Sequence, residues 1–199
     1  MLQPILNRSR SDKFLLILDL PPALKGKQDS TLQSGYNPDQ IQFTVYGSPV
    51  PKITIPEIEI PFGGQFIKVS SGSRPSFPSL DIKFLIDNGY QNYWTLWNWL
   101  NLFNDSREGT SDLNANLNHR DKNIFLTNPL SKYTSNFSLY ALDEFDKKII
   151  SFDYTNAFIT GLSEINYSYQ EPSEITCNAT FVYNQLQVNL LKDVNVSSC

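Results

Sequence analysis

The chain has 199 residues, a formal net charge of −4 and two cysteines: long enough for one good core, and without the basic field that tight nucleic-acid binding needs. Its 40% hydrophobic and 13% aromatic content excludes global disorder. A single histidine, His119, in a very polar stretch excludes histidine-rich zinc sites and paired-histidine catalysis, and Cys177 and Cys199 are spaced unlike a zinc knuckle and read as a core thiol and a frayed end.

In chain order, the first element is FLLIL, Phe14–Leu18, a strand far shorter than the ~20 apolar residues a membrane helix needs. The segment before it has basic residues but no adequate apolar run and no small-residue cleavage site, so cytoplasmic synthesis without secretion is expected, with residues 1–12 as a flexible arm. Arg8, Arg10 and Lys13, followed by Lys25 and Lys27, read as a local anion contact or as solvated, subunit-bridging charges on that arm. Residues 19–40 carry Pro-Pro, Gly and polar clusters, which predict a long loop. IQFTVYG alternates as a strand, and KITIPEIEIP alternates around Pro56, which cannot donate to a ladder and marks an edge or a bulge. Gly63-Gly64 reads as a bulge or turn rather than a phosphate loop. SLDIKFLID then sets Leu80, Ile82, Phe84 and Ile86 against Asp81, Lys83 and Asp87.

Asp87-Asn88-Gly89 is cap material for the best helix in the chain, residues 90–103. Tyr93, Trp97, Leu100 and Phe103 follow the three-four spacing, while Trp94, Leu96, Trp99 and Leu102 widen the apolar arc past one face. No charge interrupts Gly89–Asn104, so the helix is either buried across a sheet or shared with a neighbouring subunit, and Tyr93, Trp94, Trp97, Trp99 and Leu100 are the candidate interface residues. Residues 105–136 form a second long polar loop, of a length usually tied to function. A strand at Phe137–Leu142, a turn at Asp143–Lys148 and a strand at Ile149–Tyr154 follow.

The most regular stretch is Ile159–Tyr183, two alternating strands around a Glu171-Pro172-Ser173 turn. Ile165, Tyr167 and Tyr169, with Ile175, Cys177, Ala179, Phe181 and Tyr183, make its apolar face. Glu164, Asn166, Ser168 and Gln170, with Glu174, Thr176, Asn178 and Thr180, make the opposite one, small and polar. Carboxylate pairs such as Glu57 with Glu59, or Asp143, Glu144 and Asp146, read as solvated charge rather than as glycosidase acids. No metal, cofactor or catalytic residue is predicted. The pattern predicts a mainly β chain, an antiparallel sandwich or barrel of about eight to ten strands with one flanking helix, as one domain over 1–199 with a C-terminal tail at 189–199.

KFLLILDLP, IPEIEIPFGG followed by SLDIKFLIDNGYQNYWTLWNWL, and the block from SLYALDEFDKKIISFDYTNAFITGLSEI through TCNATFVYNQLQV together resemble the contractile-tail phage tube proteins, with the type VI secretion tube as a fold relative. The resemblance implies a non-enzymatic virion protein, assembled in the host cytoplasm, whose hexameric rings stack into a conduit for DNA. Its partners would be itself, the sheath, and baseplate or terminator proteins, with only transient contact to DNA and no membrane span. The polar residues from Glu164 to Thr180 would then face the lumen. Longer loops than a minimal subunit needs leave a tube initiator or terminal cap open. A monomeric carbohydrate-binding sandwich, with Tyr36, Phe125 and Tyr133 as its loop aromatics, is the alternative from another class.

Overall fold

The computed structural model describes residues 9–25, 45–103, 133–170 and 173–191. Among them are nine strands and one long helix, the mainly β architecture that the alternation predicts. The strands are β1 (Phe14–Leu18), β2 (Val45–Gly47), β3 (Glu57–Phe62), β4 (Gln65–Ser70), β5 (Leu80–Leu85), β6 (Ser135–Leu142), β7 (Lys148–Leu162), β8 (Thr176–Val182) and β9 (Gln185–Leu190). The helices are the short α1 (Pro22–Lys25) and the longer α2 (Gln91–Asn101).

β7 is the spine. Where the sequence predicts two strands, one at 149–154 and one from 159, a single strand of 15 residues runs through both. β8 and β9 lie end to end along one side of it, β9 against Ile150–Thr155 and β8 against Phe158–Leu162. β6 takes the other side of its first half and β1 pairs with β6, while β5 and then β2 extend from β8. All these pairings are antiparallel, and the order β1-β6-β7-β8-β5-β2 wraps into a nearly closed barrel.

The bend falls at Asn156. Ser135 and Phe137, two residues apart on β6, oppose Ala157 and Tyr154, three apart on β7, so β7 carries one extra residue there. Asn156 absorbs it at φ 52, in the left-handed region where Asn is tolerated, and its N–H is taken by the Asn136 side chain at 3.0 Å. The bulge restores the phase of the strand: Tyr154 before it, and Ala157 and Ile159 after it, all reach the core.

Inside the barrel Leu16, Leu18, Leu80, Ile82, Phe84, Phe137, Leu139, Phe181 and Cys177 pack in one cluster, with Cys177 a free buried thiol. Residues 19–25 are not the solvated loop their composition suggests, because Leu20 and Leu24 are buried in the same core. The segment around α1 therefore closes part of the barrel. The remainder of the predicted 19–40 loop, and of the 105–136 loop up to Lys132, lies outside the described residues, as do residues 1–8 and His119. β6 already begins at Ser135, and β9 carries order on to Leu190, past the predicted start of the tail.

α2 is not capped by Asp87-Asn88-Gly89: its N-cap is Tyr90, at φ 55 and without a side-chain cap hydrogen bond, and Asp87, three residues before that, accepts the N–H of Gln91 at 2.8 Å. Its buried face is Asn92, Thr95, Leu96 and Trp99, continued by Leu102, one position away from the Tyr93–Trp97–Leu100 stripe. The shift follows from Asn92: its amide donates to the Leu85 carbonyl at 2.7 Å and accepts from the Asp87 N–H at 3.3 Å, which pins this polar side chain inward at the end of β5. Trp99 is fully buried, edge-on to Phe181, and donates its indole N–H to the Tyr133 carbonyl at 2.9 Å.

β9 is held differently. Asp153 on β7 accepts from Ser138 on β6 at 2.6 Å, from Ser151 at 3.0 Å and from Asn189 on β9 at 2.8 Å. Partial burial pushes its carboxyl up, but the three hydrogen bonds outweigh that and hold it below its ordinary value. With the folded pKa depressed, this stabilisation is complete above the ordinary carboxylate range and is lost as pH falls through the lowered value. Asp153→Ala is expected to cost about 1–2 kcal/mol and to raise amide exchange selectively across residues 185–190. Wild-type β9 should loosen in the same way on acidification below about pH 4, after correction for intrinsic exchange rates.

Candidate functional site

The predicted polar wall divides into two parts. Thr176, Asn178 and Thr180 lie on β8, alternating with buried Cys177, Ala179 and Phe181, as the period of two requires. On β5 their register partners include Lys83 opposite Asn178 and Asp81 opposite Thr180, whose hydroxyl donates to Asp81 at 2.7 Å. Asp81 and Lys83 thus belong to the same wall. Their alternation against the core is visible in the sequence, but only the β5–β8 register places them beside Asn178 and Thr180.

Glu164, Asn166, Ser168, Gln170 and Glu174 do not form the expected strand extension. β7 ends at Leu162, and residues 163–168 make no ladder. Ser163 ends it: its backbone N–H reaches the Asn178 carbonyl at 2.8 Å while its hydroxyl accepts the Asn178 N–H at 2.9 Å, so a side chain replaces the backbone acceptor the next pair would use. The chain then leaves the sheet and encloses an open cleft of about 700 Å³, lined by Glu164, Asn166, Ser168, Glu174, Thr176 and Asn178 but also by Tyr167, Tyr169 and Ile175. Six of the eight predicted wall residues therefore converge, although the predicted separation of apolar and polar faces is lost in this segment. Two carboxylates and no cation line the cleft. Gln170 and Thr180 lie outside it. The Tyr167 hydroxyl meets that of Tyr90 at 3.1 Å, which fastens the segment beside the start of α2.

Of the helix candidates, Trp99 is a correction: it is enclosed by its own chain and offers no surface to a neighbour. Tyr93 and Leu100 are partly buried against the core, and Trp97 is half-buried. Trp94, 38% exposed, is the most exposed of the five.

The surface that sequence reasoning missed is the β3–β4 ribbon. Among the described residues its strands pair only with each other, joined by Gly63 and Gly64 at φ 56 and 81, the two positive values a two-residue hairpin turn requires. Pro56 stands just before the first strand rather than within it. Register puts Ile58 opposite Val69, Ile60 opposite Ile67 and Phe62 opposite Gln65 on one face, and Glu59 opposite Lys68 on the other, which also carries Pro61 opposite Phe66, itself 71% exposed. Glu57 and Lys68 pair at 2.6 Å on that face, with both side chains exposed, which is the solvated charge the sequence suggests. The apolar face is bare: Ile58, Ile60, Phe62 and Ile67 are 44–72% exposed. A lone two-stranded ribbon is marginal in water, and the alternation was available in the sequence as a signal that this face needs a cover.

The other candidate features settle into structural roles. Asp143 closes the β6–β7 turn by accepting the N–H groups of Phe145 and Lys147, each at 2.8 Å. Arg10 pairs with Asp12 and Lys13 with Asp146, both at 2.7 Å, so these cations are locally matched rather than assembled into an anion site. Tyr133 packs against Phe103 and Phe158 and is no exposed sugar platform; Tyr36 and Phe125 lie outside the described residues. Among the described residues no cluster of metal-ligating side chains occurs, and no helix is long and apolar enough to cross a membrane.

A curved antiparallel barrel with a flanking helix, a polar outer wall and an uncovered apolar ribbon defines a structural assembly protein. The chain belongs to the phage tail tube protein family, whose model matches residues 9–189. It is a tail tube-type structural protein, not an enzyme. Among solved structures it is similar to the sheath–tube complex of an extracellular contractile injection system, PVC, in its extended state, with a TM-score of 0.57 at 10% identity, covering 94% of this chain and 95% of that one. It is as similar to the tube-terminating cap of the anti-feeding prophage, with a TM-score of 0.57 at 12% identity over 95% of each chain. The PVC sheath/tube terminator follows, at 0.56 and 10% identity over 94% and 99%. Identities this low speak to the fold. No curated protein sequence matches the chain.

Proposed function

We propose that this chain is a repeating subunit of a tail tube: six copies close into a ring, rings stack, and the wall carrying Asn178 and Thr180 turns inward to line a conduit for DNA. The β3–β4 ribbon carries the reading, because an apolar face with no cover among the described residues supports self-association. Closing a ring also pairs sheet edges that would otherwise invite aggregation. In this arrangement Glu164, Asn166, Ser168, Gln170, Glu174, Thr176, Asn178 and Thr180 face the lumen. Small polar groups, two carboxylates, and a Lys83 balanced by Asp81 hold passing phosphates only weakly, as a conduit requires. The outer surface would meet the sheath, with baseplate or terminator proteins at the tube ends, and assembly would take place in the host cytoplasm.

A terminal cap of the same fold is the second reading, supported by the equal likeness to a tube-terminating cap. Negative-stain electron microscopy over a concentration series, with light scattering for the ring mass, separates the two. Sixfold rings that stack into open tubes are expected of a repeating subunit and single rings that never elongate of a cap, while a strict monomer at high concentration would overturn both. For the lumen, Asn166→Lys with Asn178→Lys should leave tubes intact while impeding DNA passage. Normal tubes with undiminished infectivity would count against that placement.

A further inference from the structure

Asn88-Gly89 is the only Asn-Gly pair in the chain, and it takes no part in capping α2. It forms a turn between two fixed neighbours. Asp87 donates its N–H to the Asn92 side chain at 3.3 Å, and Tyr90 donates its own to the Asp87 carbonyl at 3.0 Å. Asn88 and Gly89 themselves are exposed. Among the described residues, neither the Asn88 side-chain amide nor the Gly89 N–H takes part in a hydrogen bond. Gly89 has no side chain to crowd its nitrogen, which is therefore open to the carbonyl carbon of the Asn88 side chain.

We propose that Asn88 is a site of spontaneous deamidation, and that its isoaspartyl product unfastens the cleft segment at residues 163–168. The Gly89 nitrogen bonds to Asn88 Cγ and gives up its proton, and the side-chain nitrogen leaves as ammonia, which closes a succinimide ring. Solvent water then opens the ring at either carbonyl. Breaking the bond between Cγ and the Gly89 nitrogen leaves aspartate. Breaking the bond from the main-chain carbonyl to that nitrogen leaves isoaspartate, whose main chain runs through Cγ and is longer by a carbon. Aspartate keeps the turn and adds a negative charge on the side of α2 that favours one. Isoaspartate cannot keep it, because the longer path breaks the closure from Tyr90 to Asp87 and displaces Tyr90 from its φ of 55. The Tyr90 hydroxyl meets that of Tyr167 at 3.1 Å, and residues 163–168 make no ladder of their own. Losing this contact therefore loosens the wall of the cleft. The change needs no partner chain, so it applies to a tube subunit and to a cap alike.

The test ages the folded full-length protein in warm, mildly alkaline buffer and follows each asparagine by peptide mapping that separates aspartate from isoaspartate. Asn88 is expected to convert first, to both products. Gly89→Ala should react about tenfold more slowly, since a methyl beside the attacking nitrogen raises the barrier. The fold admits that variant: Gly89 lies outside the positive-φ range, and a Cβ there meets the Gln91 side chain at 3.5 Å, an ordinary contact. Amide exchange at residues 163–168 should rise with the isoaspartate fraction and stay at the parent's level in freshly prepared Asn88→Asp. If Asn88 persists in the folded chain while the same peptide, excised and aged alongside, deamidates, the turn shields it and the proposal is overturned. Unchanged exchange at a high isoaspartate fraction would overturn the link to the cleft.

Discussion

Aspartate at both Ile60 and Ile67 is expected to give a chain that folds normally and no longer assembles. The two residues face each other across the ribbon and are each 44% exposed, so in the single chain the new carboxylates are hydrated and stability should change by less than about 0.5 kcal/mol per site. In an assembly the same carboxylates are stripped of water on an apolar surface, at several kcal/mol each. Since about 1.4 kcal/mol is tenfold in an equilibrium constant, the concentration needed for assembly should rise at least about a thousandfold. Light scattering and negative-stain images would record the loss while circular dichroism and the melting curve stay those of the parent. Tubes at the parent's concentration would show that the ribbon face is not part of the contact.

Trp99→Ala acts on the opposite level, the fold itself. The indole is fully buried and packs edge-on against Phe181 at 5.7 Å between centroids. Its N–H holds the Tyr133 carbonyl just before β6. Truncation leaves a large cavity and an unpaired carbonyl, together about 4–5 kcal/mol. Against a total stability of about 5–15 kcal/mol, the variant should be close to unfolding, with a melting temperature lower by roughly 10–15 °C. Trp99→Phe, which keeps most of the volume and loses the hydrogen bond, should fall between the two. A melting temperature within a degree or two of the parent's would mean that α2 is not anchored through this residue.

Period-two alternation told which side chains of Leu80–Leu85 and Thr176–Val182 enter the core, because one wet and one buried face leaves that imprint directly. It failed where a two-faced segment finds no partner strand. Ile165, Tyr167 and Tyr169 alternate as well as any residues in the chain, yet the Ser163 hydroxyl takes the hydrogen bond that would have carried the ladder past Leu162. The ribbon shows the reverse case: its alternation is real and its strands pair, but no periodicity reveals that its apolar face stays exposed among the described residues. For α2, spacing alone allowed several apolar stripes, and a buried polar residue, Asn92, decided among them. Asp81 and Lys83 joined the candidate wall only through long-range register, which a local pattern cannot encode.

The pairing of β1 with β6 also governs how the chain comes off the ribosome. Phe14 finds its partner only at Ala141, so FLLIL must wait for most of the subunit to be synthesised before its edge is satisfied. At about 5–20 residues per second that delay is roughly 6–25 s, during which an apolar strand is available to its counterparts on neighbouring nascent chains. Closure of this edge of the barrel therefore waits on the arrival of the chain's own middle, and the unpaired strand is open to mispairing until then.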